Sequence, residues 1–238
     1  MPFAGKNGAI VGSSISTPSG GGNANDTGHL TSGLIKLGAT AANYAVGGSY
    51  VCWAPTATGT SVENQTIGAT AAELTARFGT GFAQYSYENK LVGKGFDFII
   101  MPDGINDTNL SAFTVGTFTG SYGDPSTLYG VYRRMIEAIL TAEPGQKIFL
   151  QTPMHPWVSN YSGTGAPTEQ TNRRQWRDAM VDLADKYSLA GVMDYIKSAG
   201  CSAPVVQAGQ GLFDTTHPTQ LIKNIAAQRV VYETMRHG

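Results

Sequence analysis

The stretch FDFIIMPDG at residues 96–104 is the clearest strand signal in the sequence, an apolar run that ends in Pro, Asp and Gly. Similar runs occur at 8–14 (GAIVGSS), 39–48 (ATAANYAVGG), 147–153 (KIFLQTP) and 190–195 (AGVMDY). Strands that are apolar along most of their length are typical of parallel sheets buried on both faces. The five runs therefore predict five strands of one mostly parallel sheet.

Helical patterns lie between these runs, at 27–38, 126–145, 169–188 and 218–236. We expect the second of these helices to be capped by Ser126 and to stop before Pro144. Alternating strands and helices predict an α/β fold, a three-layer α/β/α sandwich around the central sheet. A length of 238 residues suits a single domain spanning 1–238.

Composition excludes several classes of partner. Only 14% of the residues are charged and the formal net charge is -1, so nucleic acid and anionic membranes, which demand clustered Lys and Arg, are not expected partners. No run approaches the roughly 20 apolar residues of a membrane span, and the first residues do not resemble a signal peptide. The chain is therefore expected to be cytoplasmic, or carried outside by other means. Cys52 and Cys201 form at most one bridge.

Polar residues and glycines follow the predicted strands. Ser14 follows the first strand, Gly47 and Gly48 the second, Asn106 the third, and Asp214 and His217 precede the last helix. Each has an ordinary alternative as a turn, cap or loop residue. In open parallel sheets, however, ligands bind beyond the carboxyl ends of the strands. Their convergence on one edge indicates a functional site.

Four short motifs carry a family resemblance. GSSIS (12–16), NYAVGG (43–48), GIND (104–107) and DTTHP (214–218) resemble, in order, the four blocks of the SGNH or GDSL hydrolases. The resemblance implies a flavodoxin-like fold and a serine esterase without cofactor or metal. It also implies the following site: nucleophile Ser14, triad partners Asp214 and His217, and an oxyanion hole formed by Ser14 N–H, Gly48 N–H and the Asn106 amide.

One position departs from the family pattern. The residue before the nucleophile is usually Asp and is Ser13 here, so Ser13 remains the alternative nucleophile. The triad carboxylate comes from the last block, and the departure need not abolish catalysis.

The chemistry of the serine, histidine and aspartate supports a hydrolase without the family resemblance. A serine hydroxyl becomes nucleophilic when a histidine takes its proton, and a carboxylate on the same loop can orient that histidine. No Gly-x-Ser-x-Gly, phosphate-binding loop or His-Glu-x-x-His motif occurs. Asp97, Asp103 and Asp107 offer carboxylates for a glycosidase, but Asp97 belongs to a strand and Asp107 follows the oxyanion amide.

The segments 49–66, 108–125 and 154–168 carry aromatic residues at the site edge, and Trp53, His155 and Trp157 are the predicted substrate-binding residues. Such rings suit a carbohydrate surface, or they pack the loops themselves. The expected substrate is a small acyl ester, above all an O-acetyl group on a polysaccharide. The alternative is a catalytically silent carbohydrate-binding or structural module. Similar domains occur within phage tail proteins, which makes an extracellular or virion-associated module a further expectation; the oligomeric state stays open.

Overall fold

The computed structural model describes residues 3–18, 28–52, 67–107, 114–153, 166–195 and 220–238. Its strands form one five-stranded sheet in which every neighbouring pair is parallel. They are β1 (Asn7–Ile10), β2 (Thr40–Asn43), β3 (Phe98–Ile100), β4 (Lys147–Gln151) and β5 (Gly191–Met193). The order across the sheet is β2-β1-β3-β4-β5. The predicted five-stranded parallel sheet is confirmed.

Helices follow the strands along the chain. The α-helices are α1 (His29–Leu37), α2 (Ala71–Phe78), α3 (Tyr87–Leu91), α4 (Leu128–Ala142), α5 (Ala166–Lys186), α6 (Gln220–Ala226) and α7 (Glu233–His237). A π-helical segment, Ala227–Tyr232, joins α6 to α7, and 3-10 turns occur at Ser14–Ser16 and Thr80–Tyr85. Across the described ranges, no helix combines the length and apolar character needed to cross a membrane.

The sheet separates two apolar cores, which makes the fold three-layered. Successive strand residues point to opposite faces, so Ile99 packs into one core while Phe98 and Ile100 pack into the other. The first core includes side chains of α3, α4 and α5. The second includes side chains of α1, the π-helical segment and α7. Burial on both faces explains why the strands read as continuous apolar runs.

The observed strands are shorter than the predicted ones, because the chain leaves the sheet soon after each apolar run. The second prediction extended to Gly48, but β2 ends at Asn43. There the Asn43 side chain accepts a hydrogen bond from Ala45 N at 2.9 Å and donates one to Ser16 O at 2.9 Å. These side-chain bonds turn the backbone and free the following residues to form the site.

The start of α4 lies one residue later than predicted. Thr127, not Ser126, is the N-cap, since its side chain accepts the Gly130 N–H at 3.1 Å. Ser126 instead bonds the Asp124 carboxylate at 2.7 Å. The predicted stop before Pro144 is correct, because α4 ends at Ala142.

Helices α2 and α3 were not predicted. Thr70 and Glu73 form a reciprocal capping box at the start of α2, a sequence signature that was present in TAAE. Helix α3 packs Tyr87 and Leu91 into the core that also holds α4 and α5.

Candidate active site

The first strand leads directly into a tight turn that presents Ser14. After Ile10 the chain passes through Gly12 and Ser13 into the 3-10 turn Ser14–Ser16. A Cβ at Gly12 would lie 2.3 Å from Ser16 Oγ, so only glycine allows this close approach. Ser16 is fully buried, whereas Ser14 is half-buried. The turn therefore directs one serine inward and leaves Ser14 accessible.

Ser13 is turned into the protein. Only 2% of it is exposed, and its Oγ donates to Asp103 Oδ1 at 3.3 Å. Asp103 also accepts the Ile105 N–H at 3.0 Å, and burial raises the pKa of this carboxyl. Ser13 thus ties the end of β1 to the loop after β3. Its position is structural, and its hydroxyl is not presented to a substrate.

The glycine block lies beside Ser14. Tyr44 N donates to Ile10 O at 2.8 Å and Val46 N to Gly12 O at 2.9 Å, so this segment runs alongside the Ser14 turn. A Cβ placed on Gly47 would lie 3.9 Å from Ser14 Cβ. Gly48 is exposed and has φ +76°, a left-handed conformation that favours glycine. These backbone groups can approach a substrate bound at Ser14.

Asn106 is placed next to the same segment. Its Nδ2 donates to Ser49 O at 2.8 Å, and the residue is half-exposed between buried neighbours. An amide nitrogen carries two hydrogens, of which this bond uses one. Ser14, Gly48 and Asn106, predicted from three separate strand ends, therefore belong to one contiguous group of loops.

The buried side chain of Asp107 links two of these loops, the one that follows β3 and the one that follows Gly48. Its buried carboxylate accepts the Val51 N–H at 2.9 Å and the Cys52 N–H at 2.6 Å. Burial raises the pKa of Asp107 to about 7, while the hydrogen bonds from the backbone act in the opposite direction. Sequence reasoning gave Asp107 no role in the hydrolase site. Its place in the GIND motif was the available signal.

Gly104 allows the GIND loop to pack on α5. Its φ is +66°, and a Cβ would lie 2.6 Å from Trp176 Nε1 and 2.8 Å from another ring atom. The indole of Trp176 is itself buried. The loop that carries Asn106 and Asp107 therefore rests on the Trp176 ring with no space for a side chain at position 104.

The carboxylates considered for a glycosidase do not form a pair in one cleft. Asp97 precedes β3 at the amino end of the sheet, where it binds Lys6 Nζ at 2.8 Å and the Asn7 N–H at 2.9 Å. Asp103 and Asp107 lie at the other end and are buried against backbone N–H groups. This arrangement does not favour the glycosidase alternative.

A buried polar network lies behind the Ser14 turn. Gln151 Nε2 donates to Met101 O at 2.8 Å and reaches Ser16 Oγ at 3.4 Å. Tyr195 Oη donates to Gln151 Oε1 at 3.3 Å and lies 2.8 Å from His29 Nε2. Burial and the nearby positive charge of Lys223 lower the pKa of His29 to about 3, so this imidazole is neutral. The sequence did not reveal this network.

Several predicted site residues lie outside the described residues: Asp214, His217, Trp53, His155 and Trp157. Cys52 has a free, buried thiol, and Cys201 lies outside the described ranges. Phe118 packs edge-on to Tyr129 and beneath the Arg133 guanidinium, so this aromatic residue of the 108–125 segment anchors its loop on α4. Within the described part of the chain, no group of three His, Cys, Asp or Glu side chains could hold a metal ion.

No family model and no curated protein sequence matches the chain. Solved structures with a similar fold do exist. A solved protein from Lactobacillus plantarum has a TM-score of 0.63 at 17% identity, over 94% of this chain and 93% of that one. A protein described as a GDSL-like lipase from Parabacteroides merdae has a TM-score of 0.56 at 11% identity, over 99% and 98% of the two chains.

A variant of an acetyl xylan esterase from Geobacillus stearothermophilus has a TM-score of 0.55 at 16% identity, over 99% of this chain and 96% of the esterase. The match to both hydrolases runs through nearly the full length of each chain. Together with the parallel sheet and its two helical layers, these likenesses show that the chain has the fold of the SGNH or GDSL hydrolases.

Proposed function

We propose that this protein is a serine esterase that removes small acyl groups, above all O-acetyl groups, from a polysaccharide. The observation that carries the proposal is the placement of Ser14. It is the accessible serine of a tight turn after β1, with Gly47 beside it and the Asn106 loop joined to the same segment. A nucleophile next to exposed glycine N–H groups and a neutral amide donor suits acyl transfer.

In this mechanism, His217 takes the Ser14 Oγ proton as the oxygen attacks the ester carbonyl, and Asp214 orients and stabilises the imidazolium. Three groups then donate hydrogen bonds to the oxyanion: Ser14 N–H, Gly48 N–H and Asn106 Nδ2. Removing any one of them is expected to raise the activation free energy by about 3 kcal/mol. His217 returns the proton to the leaving alcohol oxygen. Water, deprotonated by the same base, releases the acid and restores the Ser14 hydroxyl.

The structural relatives support the assignment of the triad. Catalytic variants of the Geobacillus acetylxylan esterase replace a serine, an aspartate or a histidine by alanine, and the last two positions are three residues apart. Asp214 and His217 have the same spacing here. The acetylated substrate named for that esterase also supports the choice of an acetylated carbohydrate over a lipid ester.

Hydrolysis of p-nitrophenyl acetate by the purified chain tests the proposal. Ser14→Ala is expected to lower kcat by at least about 1,000-fold, because the nucleophile is lost. Ser13→Ala is the matched control and should retain most of the activity, since Ser13 Oγ is buried against Asp103. The reverse order of effects would assign the nucleophile to Ser13. Inactivity of the wild-type chain towards all acetyl esters would instead favour the silent carbohydrate-binding module.

The acyl group is tested separately. Acetylated xylan and p-nitrophenyl acetate should be cleaved at least about 10-fold more efficiently than p-nitrophenyl octanoate, as expected for a pocket that excludes a chain of several methylenes. Release of acetate and kcat/KM for the two nitrophenyl esters are the measurements. A preference for octanoate would contradict the acetyl-group assignment and leave the serine mechanism intact.

A further inference from the structure

We infer that Asp107 is a positioning residue of the oxyanion hole: its carboxylate holds the segment that follows Gly48 against the loop that carries Asn106. The inference rests on the proposed function for its catalytic consequence. The clamp itself can be tested without any activity. No catalytic contact is assigned to Asp107, because its side chain is fully buried.

The geometry shows three hydrogen bonds between the same two segments: one is donated by the Asn106 loop, and two are donated to it. Asn106 Nδ2 donates to Ser49 O at 2.8 Å, and Asp107 accepts from Val51 N and Cys52 N at 2.9 and 2.6 Å. The residue before Ser49 is Gly48, whose N–H is a proposed oxyanion donor. Because the donors come from different strands, contacts between their loops set the distance from the Gly48 N–H to Asn106 Nδ2. The Gly48 side of this pair is also held to the Ser14 turn, since Ser49 Oγ donates to Gly12 O at 3.1 Å.

A carboxylate suits this position better than an amide. Both oxygens of Asp107 lie within bonding distance of Val51 N, at 3.1 and 2.9 Å, and one of them also accepts from Cys52 N. An Asn at this position would turn an NH2 group towards one backbone N–H, so that two donors would face each other. A buried N–H group without an acceptor is unfavourable, so the segment that carries Val51 and Cys52 would shift to find one.

Among the described residues, none of the ion pairs includes Asp107, although Arg173 acts on the neighbouring Asp103. Three titratable groups face the Asp107 carboxylate: the Cys52 thiol on the segment that follows Gly48, Asp103 on the loop of Asp107 itself, and Tyr132 on α4. Arg134 and Asp124 act on Cys52 from further away. Burial raises the pKa of Asp107 to about 7, and the negative charge of Asp103 adds to this effect. The charged clamp thus forms near neutral pH.

The first experiment compares Asp107→Asn with the matched control Asp97→Asn, which also loses a carboxylate that accepts a backbone N–H, but at the opposite end of the sheet. For Asp107→Asn we expect kcat for p-nitrophenyl acetate to fall by about 10- to 100-fold with KM changed by less than about 2-fold, because misplaced oxyanion donors act on the transition state alone. Asp97→Asn should retain the wild-type kcat. Unchanged kcat in folded Asp107→Asn, or equal losses in both variants, would overturn the inference.

The second experiment follows the backbone amide protons of Val51 and Cys52 in the wild-type protein by NMR from pH 5 to 9. Both resonances should shift together with a midpoint near 7, because their acceptor gains its charge there. The shift should be missing in Asp107→Asn. Amide protons of Val51 and Cys52 that exchange rapidly with solvent in the wild-type protein would refute the clamp, because both N–H groups would then lack their buried acceptor. This measurement stands even if the chain hydrolyses no ester, and it remains decisive if Asp107→Asn does not fold.

Discussion

At the scale of single residues, two glycines allow the energetic cost of backbone strain to be measured apart from the cost of a packing clash. Gly104 and Gly93 have nearly the same left-handed φ, +66° and +65°, but a Cβ at Gly104 would meet the Trp176 ring, whereas nothing lies within 4 Å of a Cβ at Gly93. Gly93→Ala is expected to cost about 1–2 kcal/mol of unfolding free energy from the backbone alone. Gly104→Ala should cost about 1–3 kcal/mol more, because the ring must move. Urea unfolding measures both, and equal losses would mean that Trp176 yields without cost.

Individual residues also show where sequence reasoning stopped. The GSSIS motif assigned the nucleophile to Ser14 by alignment and left Ser13 as the alternative, because residue types alone do not distinguish two adjacent serines. The distinction depends on Asp103, a residue distant in sequence whose carboxylate holds Ser13 inside. Asn106 was predicted from the GIND motif, but the buried bonds of the neighbouring Asp107 depend on how two loops meet in space.

At the scale of elements, the contact between α1 and the π-helical segment depends on Gly33. A Cβ there would lie 2.4 Å from Val231 Cγ1. At a solvent-exposed position inside a helix, replacing Gly by Ala stabilises the helix by about 1 kcal/mol. Here we expect Gly33→Ala to destabilise the fold, because the two helical segments must separate.

The matching double variant isolates this contact. Val231→Ala removes the methyl group that lies 2.4 Å from a Cβ at position 33 but keeps the Val231 Cβ, which lies 2.7 Å from it. Gly33→Ala should therefore cost less in that background and still destabilise the fold. Thermal or urea unfolding of the four proteins gives the interaction energy, expected at about 1–3 kcal/mol. Additive effects would show that Val231 does not limit the approach of the two segments.

Elements were predictable where the apolar pattern was long and buried. The strands of the sheet read as apolar runs because helices cover both faces, but the ends of β2 depend on side-chain bonds of Asn43 that no periodicity reveals. The short helices α2 and α3 were missed, because segments of 8 and 5 residues carry little periodicity. The capping box at Thr70 and Glu73 was the one strong signal there.

At the scale of the whole molecule, two buried groups give stability opposite dependences on pH. His29 has a folded pKa of about 3 against an ordinary value near 6.5, so stability falls as the pH drops below about 6.5. Asp107 has a folded pKa of about 7 against an ordinary value near 4, so its protonated form favours the fold and stability falls as the pH rises from about 4 to about 7. Between about pH 4 and 6.5 the two effects oppose each other.

Replacing either group should reveal the pH dependence that the other group gives to the unfolding free energy. In Asp107→Asn, the unfolding free energy is expected to fall more steeply than in the wild-type protein as the pH is lowered from about 6.5 to about 4. In His29→Gln it should instead rise over the same interval. Urea unfolding at a series of pH values measures both slopes. Parallel curves for the three proteins would mean that neither group changes its protonation on folding.

The arrangement of the sheet also determines the sequence of events in folding. Strand β1, which lies between β2 and β3, is made first. Its register with β3 joins Gly8 to Phe98, and only its pairing with β2 is close along the chain. Closing so long a loop costs entropy before any contact compensates for it, which makes non-local pairing slow. On a nascent chain we therefore expect the edge of β1 that later pairs with β3 to stay unpaired until β3 emerges. During that interval, the apolar edge of β1 is where we expect chaperones to bind and misassembly to begin.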